Sequence, residues 1–132
     1  MKLEHIGIAV RDLEKSNKLF SALFNQEPYK SEQVESEGVI TVFYKTGETK
    51  IELLQATKPD SAIAKYIDKK GEGIHHLAFE VEDIDTEIER LQKEGFELIN
   101  KTPKDGADNK RIAFLHPKSA NGVLIEICQE KK

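Results

Sequence analysis

The sequence predicts an α+β domain in which one strand-helix-strands unit is used twice. Two matches within the chain predict it. His5-Ile6-Gly7-Ile8-Ala9-Val10-Arg11-Asp12-Leu13 is echoed 71 residues later by His76-Leu77-Ala78-Phe79-Glu80-Val81-Glu82-Asp83-Ile84. Lys50-Ile51-Glu52-Leu53-Leu54 is echoed 74 residues later by Leu124-Ile125-Glu126-Ile127-Cys128. The two matches keep the same order, and each carries a polar residue inside an apolar pattern. That combination marks an internal duplication. At 132 residues the chain fits one domain, 1–132, with modules at about 1–70 and 71–132.

A strand pattern opens the chain from Leu3 to Val10. Asp12 stands where a helix N-cap is expected, before a helical run carrying Leu13, Leu19, Phe20, Leu23 and Phe24. Strand-like segments follow over Val34–Tyr44 and Lys50–Gln55, parted by the Thr46-Gly47 turn signal. Ser61–Lys70 reads as a short helix ending at Gly71-Glu72-Gly73. The second copy then opens on His76, with a helix from Asp83 to about Glu94 and Gly95 just past its end.

Bulk composition narrows the function. An apolar share of 38% and a charged share of 33% suit thin layers with a solvated surface. The net charge of −4, without charged blocks, gives no reason to expect a nucleic-acid partner. Nothing approaches a membrane span or a secretory signal, and a lone cysteine, Cys128, excludes both an internal disulfide and a cysteine-based zinc site. A cytoplasmic protein is the expectation.

Side chains alternate across a strand, so each strand sorts into two faces. Ile6, Ile8 and Val10 share the face that packs under the helix, and His5 lies opposite. Leu77, Phe79 and Val81 do the same in the second copy, with His76 opposite. Glu52 opposes Ile51 and Leu53, while Glu126 opposes Val123, Ile125 and Ile127. Each histidine is followed two positions on by a small residue, Gly7 or Ala78, which leaves space above the sheet. Glu126 is the most conspicuous of the four, because Gly-Val-Leu-Ile-Glu-Ile-Cys is otherwise apolar. A buried carboxylate without a partner costs several kcal/mol or gives up its charge.

One strand histidine alone is ordinarily a hydrogen-bonded structural residue, and one strand glutamate a solvated edge residue. The same pair at matched positions in both copies points instead to one divalent metal ion held by His5, Glu52, His76 and Glu126. Two imidazoles and two carboxylates suit Co, Zn, Ni, Mn or Fe without choosing among them. If four strands supply four ligands, two octahedral positions remain for adjacent oxygens of a substrate.

At these residues the chain resembles the vicinal oxygen chelate superfamily. The resemblance spans essentially the whole chain. It implies two tandem βαβββ modules forming curved mixed sheets around a metal-binding cleft. Gly71–Val81 (GEGIHHLAFEV), Ile112–Ser119 (IAFLHPKS) and Asn121–Glu126 (NGVLIE) are similar to the methylmalonyl-CoA epimerase branch. That branch implies an isomerase acting on an acyl-CoA thioester through a metal-stabilised enolate. It places His5, His76 and Glu126 on the metal and leaves the position of Glu52 to glutamate or glutamine. Glu126 is then a proton-transferring group. A second acid, present in some members, aligns near Thr41 and is replaced here, leaving Glu52, Glu35 or Glu37 as stand-ins.

His116, Lys118 and Ser119 are the expected substrate contacts, and Lys101, Lys104, Lys110 and Arg111 are candidates for coenzyme A phosphates. His75 falls on the helix-facing side by parity and reads as structural. Cys128 shares the face of Glu126 and reads as packing. A homodimer is expected on general grounds. Glyoxalase I (lactoylglutathione lyase) is similar in its ligand set and is the alternative reading. Metal-free drug-sequestering proteins of the bleomycin-resistance type form the other alternative, and they generally lack the quartet.

Overall fold

The computed structural model describes residues 1–131. Its eight strands and three α-helices follow the order β1 (Lys2–Ala9), α1 (Leu13–Phe24), β2 (Lys30–Val34), β3 (Val39–Thr46), β4 (Thr49–Ala56), α2 (Ala62–Lys70), β5 (Gly73–Glu80), α3 (Ile84–Lys93), β6 (Lys104–Gly106), β7 (Lys110–Leu115) and β8 (Ile125–Glu130). The chain forms two compact units: one runs from His5 to His75, and the other joins Met1–Glu4 to the chain from His76 onward.

In the first unit the strand order is β2-β3-β4-β1. The pairs β2/β3 and β3/β4 are antiparallel, and β4 returns parallel to β1. Helix α1 makes that return possible by carrying the chain across the sheet. Asp12 caps α1 by accepting the Lys15 amide at 3.1 Å. The side-chain carbonyl of Gln55, at the end of β4, accepts the Leu13 amide at 2.6 Å. Together they satisfy two of the amides a helix start leaves without partners. One sheet face, with Ile8, Val10, Ile40, Val42, Tyr44, Ile51 and Leu53, packs on Leu13, Phe20 and Phe24 of α1. On the other face Ala9, Val39 and Leu54 pack on Ile63, Tyr66 and Ile67 of α2, so α2 shares the face of His5 and Glu52.

One expected strand is two. The segment expected as a single strand over Val34–Tyr44 contains a reversal, with β2 ending at Val34 and β3 starting at Val39. A turn of 3₁₀ helix over Glu35–Glu37 and the left-handed Gly38 (φ 64°) make the reversal, and the Gly38 amide donates to the Glu35 carbonyl at 3.1 Å. Glycine adopts this conformation at the lowest cost. The polar segment Lys30–Val34, mostly exposed, carries no apolar alternation that would have announced it as a strand.

The second unit repeats the plan. Its order is β5-β8-β7-β6, with β5/β8 parallel and β8/β7 and β7/β6 antiparallel. Asp83 caps α3 by accepting the Thr86 amide at 3.2 Å, and that bond holds its carboxyl below the usual range. Gln129 accepts the Ile84 amide at 2.9 Å, as Gln55 does for α1. Ile84, Ile88 and Leu91 of α3 pack on Val81, Ala113, Leu115 and Ile127. Gly95, with φ 96°, follows the end of α3 as expected. Val123 precedes β8 and is exposed, so it is not part of the buried strand face expected for it. Among the described residues no helix is long and apolar enough to cross a membrane.

Candidate active site

The duplication holds at the level of individual register pairs. Gly7 lies beside Glu52 in β1/β4, and Ala78 lies beside Glu126 in β5/β8. Phe43 opposes Glu52 from β3, and Phe114 opposes Glu126 from β7. Each glutamate therefore has a small residue on one side and a phenylalanine on the other. The small neighbour leaves room for the histidine two residues before it to reach the carboxylate.

In the first unit His5 Nδ1 lies 3.0 Å from Glu52 Oε2, with both side chains 6% exposed. In the second, His76 Nε2 lies 3.4 Å from Glu126 Oε1, with side chains 6% and 7% exposed. The Phe114 ring stands edge-on to His76, with centroids 5.8 Å apart. Burying a carboxylate costs several kcal/mol even when it is paired, so these are not residues that packing alone selects. Within each unit, one buried imidazole beside one buried carboxylate is a donor pair of the type a divalent cation accepts.

The residues expected to contact substrate are engaged in their own turn. His116 caps the 3₁₀ turn Pro117–Ser119, its Nδ1 accepting the Lys118 amide at 3.1 Å. Ser119 Oγ donates to the His116 carbonyl at 2.9 Å and accepts the Glu97 amide at 3.3 Å. Lys118 Nζ lies 3.0 Å from Glu97, whose carboxyl it holds below the usual range.

The four cations considered for phosphate binding do not share one face. Lys110 and Arg111 are consecutive on β7 and so take opposite faces. Lys110 is buried and reaches Glu130 at 3.4 Å, whereas Arg111 reaches Asp85 of α3 at 3.3 Å. Lys104 stands over the Phe114 ring at 6.0 Å, and Lys101 is exposed.

Thr41 is fully buried on β3. Glu35 and Glu37 lie on the 3₁₀ turn, off the sheet, and Glu35 accepts a bond from Gln33 at 2.8 Å. Neither is carried by a strand facing the site. The carboxylate opposite Thr41 is instead Glu32 of β2, within 3.3 Å of Lys30. Sequence reasoning missed it, because parity along β2 has no meaning until β2 is recognised as a separate strand.

His75 packs edge-on against Tyr66 at 4.9 Å, and burial lowers its pKa to about 4. Cys128 is fully buried, and its Sγ lies 3.6 Å from the Phe79 carbonyl. Burial first, and Glu126 second, push its thiol far above the usual range.

The model of the Glyoxalase/Bleomycin resistance protein/Dioxygenase superfamily matches residues 4–114. A methylmalonyl-CoA epimerase of Dictyostelium discoideum is 40% identical over 96% of this chain and 76% of its own. The ethylmalonyl-CoA/methylmalonyl-CoA epimerase of Cereibacter sphaeroides is 38% identical over 97% of each chain. The chain belongs to the methylmalonyl-CoA epimerase family of this superfamily. A Streptomyces coelicolor methylmalonyl-CoA epimerase solved with 2-nitronate-propionyl-CoA superposes with a TM-score of 0.94 at 34% identity, over 98% of this chain and 94% of that one. The βαβββ order expected from the resemblance is the order found in both units, as membership of this family requires.

Proposed function

We propose that the chain interconverts the C2 epimers of methylmalonyl-CoA, with His5, Glu52, His76 and Glu126 as ligands of one divalent metal ion. The observation that carries the reading is the recurrence of a buried His–Glu pair at matched register in both units. Family membership supplies the substrate class.

The C2 proton lies between a thioester carbonyl and a carboxylate, and its removal leaves an enolate. Glu126, buried on an apolar strand, takes the proton as general base. Glu52, its counterpart in the first unit, returns a proton to the other face, so the C–H bond broken on one side is remade on the other. A bound divalent ion supplies positive charge where the enolate oxygen develops, a contribution of several kcal/mol. Between turnovers the two carboxyls exchange protons with solvent, which resets Glu52 as the acid and Glu126 as the base. Assembly as a homodimer belongs to the same proposal.

The test is a single stereoisomer of methylmalonyl-CoA in D₂O with metal-loaded protein. Deuterium should enter C2 while handedness scrambles, and chelation should stop both. Brisk lactoylglutathione formation from methylglyoxal and glutathione, with no exchange at C2, would overturn the epimerase reading in favour of a glyoxalase.

A further inference from the structure

The face of the first unit that bears His5 and Glu52 also carries a polar atom with nothing to bond. Thr41 Oγ1 is the one buried side-chain polar atom without a hydrogen-bond partner among the described residues, and the residue has no exposed surface. Its place follows from the β3/β4 register. Phe43 opposes Glu52 and Thr41 opposes Leu54, so Thr41 stands one pleat along from the glutamate on the same face. Cross-strand diagonals of this kind lie within reach of a shared ligand.

The second unit provides an internal comparison. There Phe114 opposes Glu126 and Ile112 opposes Cys128, which makes Ile112 the counterpart of Thr41. Ile112 is a buried apolar residue, the type a strand interior favours. Thr41 places a hydroxyl at the equivalent point and leaves it dry and unbonded, which weakens the fold. A buried hydroxyl kept at that cost is explained by a partner that arrives with the ligand.

We propose that Thr41 Oγ1 is a substrate-binding hydrogen-bond donor to an acyl oxygen of a 2-substituted malonyl thioester bound at the His5–Glu52 face. Such an acyl group presents two carboxylate oxygens and a carbonyl oxygen, all acceptors, and a threonine hydroxyl can give one of them a charge-assisted bond. The inference rests on the functional reading above and names a contact within that site.

The test compares Thr41→Val, which keeps the shape and removes the hydroxyl, with Thr41→Ser, which keeps the hydroxyl. Without ligand, Thr41→Val should melt above the wild type, because an unbonded polar atom has been removed. Its affinity for 2-nitronate-propionyl-CoA, measured by calorimetry, should fall about tenfold or more, the usual worth of a hydrogen bond to a charged group. KM for methylmalonyl-CoA should rise in step with less change in kcat, and Thr41→Ser should restore both. Unchanged affinity in Thr41→Val overturns the inference. So does a lower unliganded melting temperature, which would show the hydroxyl already satisfied by a buried water. A wild type that binds neither probe nor substrate would instead bring down the functional reading, and the inference with it.

Discussion

Four side chains carry the proposed chemistry, and substitutions at them separate binding from proton transfer. His5→Ala and His76→Ala should each lower the divalent metal retained after dialysis, measured by elemental analysis; undiminished metal in both would remove the proposed centre. Glu126→Gln should lower turnover by about a hundredfold or more while the protein stays folded, the usual loss when a general base is removed. Glu52→Gln should be milder for deuterium exchange at C2, which Glu126 begins, and for metal retention, since the resemblance places glutamine at that position in some relatives. Inversion at C2 should slow more than exchange, because an amide cannot return the proton. Cys128, on the same face, gives a control for packing. Its thiol is fully buried and its pKa pushed far up, so a disulfide reagent should label it only after unfolding. Rapid labelling of the native protein would mean that this face opens.

At the scale of elements, the histidines and glutamates were legible because each interrupts a strand whose period of two is otherwise clean. The polar strand β2 was not legible, and neither was the short β6 (Lys104–Gly106), because neither has an apolar face to show a period. Losing β2 hid Glu32 and left Glu35 and Glu37 as the apparent candidates. The pairing of each module's last strand with its first helix was hidden for another reason. Gln55 and Gln129 are ordinary polar residues in sequence, and only parallel β1/β4 and β5/β8 pairing brings their side chains to the Leu13 and Ile84 amides. Gln55→Ala and Gln129→Ala should each destabilise by about 1 kcal/mol, the cost of a helix amide left without its partner, read from denaturant midpoints. Equal stability to wild type in both would show that water takes over the bond.

For the whole molecule, the proposed metal site links ion binding to stability. Ligands held apart from water in the empty protein stabilise the fold when an ion binds them, by RT ln(1 + [M]/Kd). At a metal concentration a hundred times Kd this amounts to about 2.7 kcal/mol, or roughly 10 °C in melting temperature for a chain of this size. Chelation should remove that increment from the wild type and leave a His5→Ala/His76→Ala protein unchanged. An equal chelator effect on both would place the ion elsewhere. The duplication was the most legible feature at this scale, because the two ligand-bearing motifs recur in order; the equivalence of Phe43 with Phe114 and of Thr41 with Ile112 emerged only from strand register.

The glutamine clasps also bear on ancestry. Each runs from the final strand of a module to the opening turn of that module's own helix, and neither borrows a partner from the other repeat. A half-length forebear carrying one repeat would already have closed this bond on itself. Copying such a gene end to end would then yield a chain whose two repeats each arrive with their helix start already secured. The point at which repeats could be joined or exchanged without breaking a clasp is the stretch between Gln55 and His76. Recombination there preserves both bonds, whereas a crossover between Leu13 and Gln55 divides the first pair between two parents.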